Sequence, residues 1–131
     1  EKAYTEAAHV DKWQRTIALD REYNWVEVTE QYKFDSLQIE KDRLNGQVFD
    51  NQIVLMAYGK PVAQKAGRIL LQGGMVRLEY DAQYLSASVE KVQMTDGIMK
   101  TQWKDNIYRI ILRLNDNYPM AKVKYRFVET R

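Results

Sequence analysis

The chain has 131 residues, 45% of them apolar and 29% charged, with a formal net charge of +2. That length holds one domain with a sizeable core, and that balance excludes a disordered chain. Cysteine is absent, which excludes a disulfide framework and a thiolate metal site, and no apolar run approaches the roughly 18–20 residues of a membrane-spanning helix.

The chain begins at Glu1 without an initiator Met, signal peptide or transit segment, so residues 1–131 are expected to form a single domain cut from a longer protein. Residues 4–8 carry the one helical pattern, and it is short. From there the period is two. Trp13, Arg15, Ile17 and Leu19 alternate with Gln14, Thr16, Ala18 and Asp20, which predicts a half-buried strand. A polar connection at residues 20–24 has hairpin length. Beyond it Val26, Val28, Tyr32 and Phe34 share one face, while Trp25, Glu27, Thr29, Gln31 and Lys33 share the other. Residues 47–58 read as a further strand, and the apolar run 53–57 predicts burial on both of its faces.

Turn signals then recur at Gly59-Lys60-Pro61, Gly73-Gly74, Asp96-Gly97, Asp105-Asn106 and Asn115-Asp116-Asn117. The tracts "RILLQ", "MVRLEY", "LSASVEKVQM", "IYRIILRL" and "AKVKYRFVE" between them are each strand-sized. The expected fold is all-β: a two-layer antiparallel β-sandwich of about eight or nine strands, with at most one short N-terminal helix.

Ready-made catalytic chemistry is scarce. His9 is the sole histidine and has no nucleophile or base signature beside it, so its reading is structural. One histidine and no cysteine make a zinc site untenable, and no calcium or phosphate-loop spacing occurs; no cofactor or metal ligand is expected. Glu27 and Glu30 are carboxylates near one another in number, but Glu27 shares the polar face and Glu30 points toward the apolar one. An inward Glu30 needs a partner, and Arg15 suffices. No residue is assigned a catalytic role.

Charge is unevenly spread. Residues 1–96 carry 12 basic and 15 acidic side chains, whereas residues 97–131 carry 8 basic and 3 acidic ones. Lys122, Lys124 and Arg126 alternate with Val123, Tyr125 and Phe127, so these cations project from one face about 7 Å apart. Arg109 and Arg113 likewise share a strand face. Such a stripe suits the sulfates or carboxylates of an acidic polysaccharide; the alternative is a solvated outer face that guards against aggregation. No nucleic-acid motif accompanies the charge, so nucleic acid is not an expected partner.

Trp13 shares phase with Ile17 and Leu19 and is expected in the core. Trp103 is expected to anchor the edge of the strand "IYRIILRL". Trp25 shares phase with Glu27 through Lys33, so it is either a plate for a sugar or a contact with a neighbouring domain.

Four motifs then occur in order: "WQRTIALDR" (residues 13–21), "VEVTEQYKF" (26–34), "GGMVRLEYD" (73–81) and "WKDNIYRIILRL" (103–114). Together they resemble the C-terminal β-sandwich of heparinase II/III-like polysaccharide lyases over nearly the entire chain. The resemblance implies a parent that cleaves uronate-containing polysaccharides by β-elimination, with its base, acid and carboxylate-neutralising groups in other domains. It also implies a periplasmic or secreted location and, as partners, the catalytic domains of the same parent chain. None of the family's catalytic motifs falls on this sequence. The expected function is therefore an accessory and structural domain, with Trp25, Arg109, Arg113, Lys122, Lys124 and Arg126 as candidate glycan or interdomain contacts. A free-standing carbohydrate-binding or adhesion sandwich is the alternative, and a small lyase working through its own tyrosines is a third reading.

Overall fold

The alternating tracts form strands because each offers a row of β-branched or aromatic side chains to one side and polar groups to the other. The computed structural model describes residues 10–46, 51–103, 106–115 and 120–130. Among these the strands are β1 (Val10–Asp20), β2 (Trp25–Phe34), β3 (Gln52–Tyr58), β4 (Val62–Lys65), β5 (Arg68–Leu71), β6 (Val76–Tyr80), β7 (Leu85–Lys91), β8 (Ile107–Leu114) and β9 (Met120–Glu129). They build two antiparallel sheets, one of six strands in the order β1-β2-β9-β6-β5-β4 and one of three in the order β3-β8-β7. The architecture is the expected all-β, two-layer antiparallel one.

The two sheets share one apolar core. The wider sheet contributes Val28, Ile69, Leu71, Leu78, Val123 and Tyr125, and the narrower one contributes Ile53, Leu85, Ile110 and Leu112. Leu78 and Leu112 are fully enclosed. Burying each such leucine stabilises the fold by about 1.5–3 kcal/mol relative to an exposed one. A smaller aromatic cluster sits beside it, where Tyr32 and Phe34 pack against Trp13 with ring centroids 5.6 Å (Tyr32) and 6.5 Å (Phe34) from the indole. Trp13 is thus a core anchor.

Local chemistry sets the turns. Between β1 and β2, the Asp20 carboxylate accepts the backbone N–H groups of Glu22 and Tyr23, each at 2.9 Å, and Asn24 takes the left-handed conformation (φ 52°) that closes the hairpin. Gly73 and Gly74 join β5 to β6 through a single 3-10 turn at positive φ, so that signal marks a hairpin, as expected.

Four expectations need correction. Two helices are present where none was expected beyond residues 4–8: α1 (Ser36–Leu44) and α2 (Gly97–Trp103). Both are started by a side-chain cap rather than by an apolar stripe. Asp35 accepts the N–H of Leu37, and Asp96 accepts those of Ile98 and Met99, so the Asp96-Gly97 signal marks the start of a helix. Trp103 accordingly closes α2, where its ring meets Tyr58 at 5.8 Å, rather than leading β8.

In β3, Ile53 is buried but Val54 and Met56 are 46% and 60% exposed, so the strand is not buried on both faces: its inner row meets the wider sheet and its outer row does not. In β1, Ile17 and Leu19 are 65% and 61% exposed despite facing inward. The six-stranded sheet is wider than its partner, and β1 is its outermost strand, so that end overhangs. The helical pattern at residues 4–8, His9, and the first part of the tract 47–58 lie outside the described residues.

Candidate glycan-facing surface

The outer face of the six-stranded sheet gathers most of the residues singled out by charge and phase. Period-two alternation turns Val28, Glu30, Tyr32 and Phe34 of β2 inward, which sends Trp25, Glu27, Thr29, Gln31 and Lys33 outward. The same rule on β9 buries Val123 and Tyr125 and projects Lys122, Lys124 and Arg126. Antiparallel register sets Arg126 opposite Glu27 on one side and opposite Glu79 of β6 on the other.

Arg126 holds Glu27 at 2.8 Å, and Lys124 reaches the other oxygen of the same carboxylate at 3.7 Å. The Arg126 guanidinium also lies 4.3 Å from the centroid of the Trp25 ring. A cation over an indole face at that distance contributes about 0.5–1 kcal/mol at an exposed site. Trp25 is half-buried under this contact. It sits on the polar side, as its phase indicates, and the charge already resting on its ring is an intramolecular one.

Two further cations belong to this face and escaped sequence reasoning. Arg77 and Arg68 share the carboxylate of Glu79, at 3.3 Å and 3.6 Å. Their Nε atoms are shielded from solvent without a hydrogen-bond acceptor among the described residues. The available signal was phase: in "MVRLEY", Arg77 and Glu79 alternate with the inward Val76, Leu78 and Tyr80. The four cations Arg68, Arg77, Lys124 and Arg126 therefore hold two acids, Glu27 and Glu79, and Lys122 continues the row along β9 opposite Gln31. Toward the end of the sheet a cleft of about 260 Å³ opens beside Glu27, Glu79, Lys124 and Arg126.

Arg109 and Arg113 are elsewhere. They project from β8 in the three-stranded sheet, whose inner row is Ile110 and Leu112, and Arg109 pairs with Glu90 at 3.2 Å. Two sheets packed through their inner faces turn their outer faces apart, so these arginines cannot join the Lys122-Lys124-Arg126 row on one ligand.

The inner carboxylate is a different object. Glu30 is fully enclosed and accepts three hydrogen bonds: Trp13 Nε1 at 2.8 Å, Arg15 Nε at 2.5 Å and the Tyr125 hydroxyl at 3.3 Å. Burial, with the Glu30 carboxylate beside it, pushes the Tyr125 phenol up to about 12. A phenol so placed holds its proton at neutral pH and cannot serve as a general base there. Glu30, saturated with donors and sealed from solvent, ties β1, β2 and β9 together.

No protein-family model matches the chain, and no curated protein matches it in sequence. What the surface can do follows from its geometry. Among the described residues no group of three or more His, Cys, Asp or Glu is placed to hold a metal ion. Among the described residues the outer face is a net-cationic array with Trp25 at its margin.

Proposed function

We propose that this chain is the accessory β-sandwich of a heparinase II/III-like polysaccharide lyase, and that it meets acidic polysaccharide on the outer face of its six-stranded sheet. The observation that carries the reading is the cluster of four cations around Glu27 and Glu79, with Lys122 continuing the row and Trp25 alongside Arg126. Lys122, Lys124 and Arg126 repeat about 7 Å apart along β9, each facing Gln31, Thr29 or Glu27 on β2, so the row offers regularly spaced charge to a polymer that bears sulfates or carboxylates along its length. The four-motif resemblance supports the parent assignment, and the Tyr125 phenol held near 12 argues against proton abstraction by this residue. In that parent the elimination chemistry resides in other domains, and this domain buttresses them and retains the chain of sugars.

Isothermal titration with heparin and with alginate, at low and at physiological salt, tests the glycan role. Binding should weaken as salt rises, since it rests on exchanged counterions. The pair Lys122→Glu/Lys124→Glu should abolish it, while Arg109→Glu/Arg113→Glu on the opposite sheet should not. Absence of heat under both salt conditions removes the glycan role. Release of unsaturated uronate by the chain alone would overturn the accessory assignment.

A further inference from the structure

β1 has β2 along one side and, among the described residues, no strand along the other. Open among the described residues, such an edge is a template for pairing, and folds normally shorten, cover or break it. Its ladder to β2 runs without a shift from Lys12 to Asp20, with the one irregularity falling between Val10 and Lys12. The regular edge therefore runs from Lys12 to Asp20. It also carries Ile17 and Leu19, exposed on the overhang.

Lys12 and Asp20 bound the regular part of this strand, with Thr16 midway. Turned end for end about Thr16, the strand sets Lys12 against Asp20 of a second copy. That unlike-charge pair then occurs twice. The inner row sets Trp13 against Leu19, which covers the overhanging leucine with an indole, and Arg15 against Ile17. The outer row sets Gln14 against Ala18, and Thr16 meets itself. Every pair joins residues of like parity, so inner faces stay inner and the two wide sheets run on as one. Other registers lose this match. Centring on Arg15 sets arginine against arginine and Lys12 against Ala18, and centring on Ile17 sets Asp20 against the neutral Gln14.

We propose that β1 is the interface of a two-fold symmetric dimer, formed by antiparallel pairing of β1 with β1 of a second copy and centred on Thr16. A self-complementary strand closes under two-fold symmetry, so pairing stops at two copies instead of running on into a fibre.

The absence of cysteine from the natural sequence makes the register directly testable. Gln14, Thr16 and Ala18 are all exposed on the outer row, so cysteine at any of them leaves the core intact, which thermal melting verifies. Under mild oxidation Thr16→Cys should link to itself, because directly opposed residues fall within the Cα separation a disulfide spans. Gln14→Cys alone and Ala18→Cys alone should not, since like positions are then about 13 Å apart along the pair. Mixing those two variants should link them to each other. Sedimentation of the unaltered chain should show a dimer that dissociates on dilution, and Lys12→Glu should shift it toward monomer. The proposal is overturned if the unaltered chain sediments as a monomer at every concentration. It is equally overturned if Thr16→Cys links no faster than Gln14→Cys or Ala18→Cys alone.

Discussion

The Arg15 guanidinium meets the Glu30 carboxylate at 2.5 Å across the β1–β2 pair, where the acid is wholly enclosed and the arginine side chain is 55% exposed. A solvated cation thus reaches in from the overhanging strand to neutralise a charge the core cannot otherwise hold. Trp13 and Tyr125 complete the arrangement, one from each strand that flanks β2.

Removing the cation while leaving the acid should cost more than removing both charges. Arg15→Met is expected to destabilise the fold by roughly 2–4 kcal/mol in urea melts. Glu30→Gln keeps an acceptor for the Trp13 indole and should cost roughly 1–2 kcal/mol in the natural background. In the Arg15→Met background the same change should instead raise stability, a reversal of sign that a double-mutant cycle reads directly.

The raised Tyr125 phenol makes an alkaline prediction. Its proton is lost near 10 in the unfolded chain and near 12 in the folded one, so between those values the folded state binds the extra proton. Stability from this group is therefore fully present below pH 10 and falls as pH rises toward 12, by up to about 1.4 kcal/mol per pH unit. Tyr125→Phe should flatten that part of the stability profile while lowering stability at neutral pH by about 1 kcal/mol through the lost bond to Glu30. Equilibrium unfolding followed at a series of alkaline pH values checks both.

Trp25 is half-buried beneath Arg126. Trp25→Ala should lower stability by about 1–2 kcal/mol, from lost apolar contact and the lost cation–ring interaction. Arg126→Gln should cost less and should alter tryptophan emission. Urea melts followed by fluorescence separate the two.

Gly67 lies at φ +88°, and a Cβ added there would stand 2.8 Å from the carbonyl oxygen of Tyr80. Gly67→Ala should therefore destabilise the β5–β6 region by more than about 2 kcal/mol, adding a backbone clash to the left-handed strain. Gly73→Ala, at φ +66° with open space around it, should cost only about 1 kcal/mol. Thermal unfolding of the two variants gives the comparison.

Some of the site was legible in the residues. Period two placed Val28, Glu30, Tyr32 and Phe34 on one row and Trp25 and Glu27 on the other, and the structure keeps both rows. The partnership of an inward Glu30 with Arg15 also followed, because an enclosed carboxylate requires a cation and the neighbouring strand offers one in phase. The helices did not follow, since α1 and α2 are short surface elements started by Asp35 and Asp96 with no apolar stripe to announce them. Arg68 and Arg77 were passed over for a similar reason. Their partner Glu79 is shared across strands, and sharing is invisible in a linear string.

The sequence by itself determined the alternation, and with it the all-β class, the inward rows and the hairpin turns, because side-chain direction along a strand depends only on parity. Tertiary structure alone decided which rows meet. Unequal sheet widths left Ile17 and Leu19 exposed on an overhang that alternation had assigned to the core. Strand order placed Lys124 and Arg126 against Glu27, with Arg126 over Trp25, and sent Arg109 and Arg113 to the opposite sheet. Parity is a property of neighbours in the chain, whereas strand order and sheet width are set by long-range pairing, so only the folded chain could divide one basic stripe into two faces.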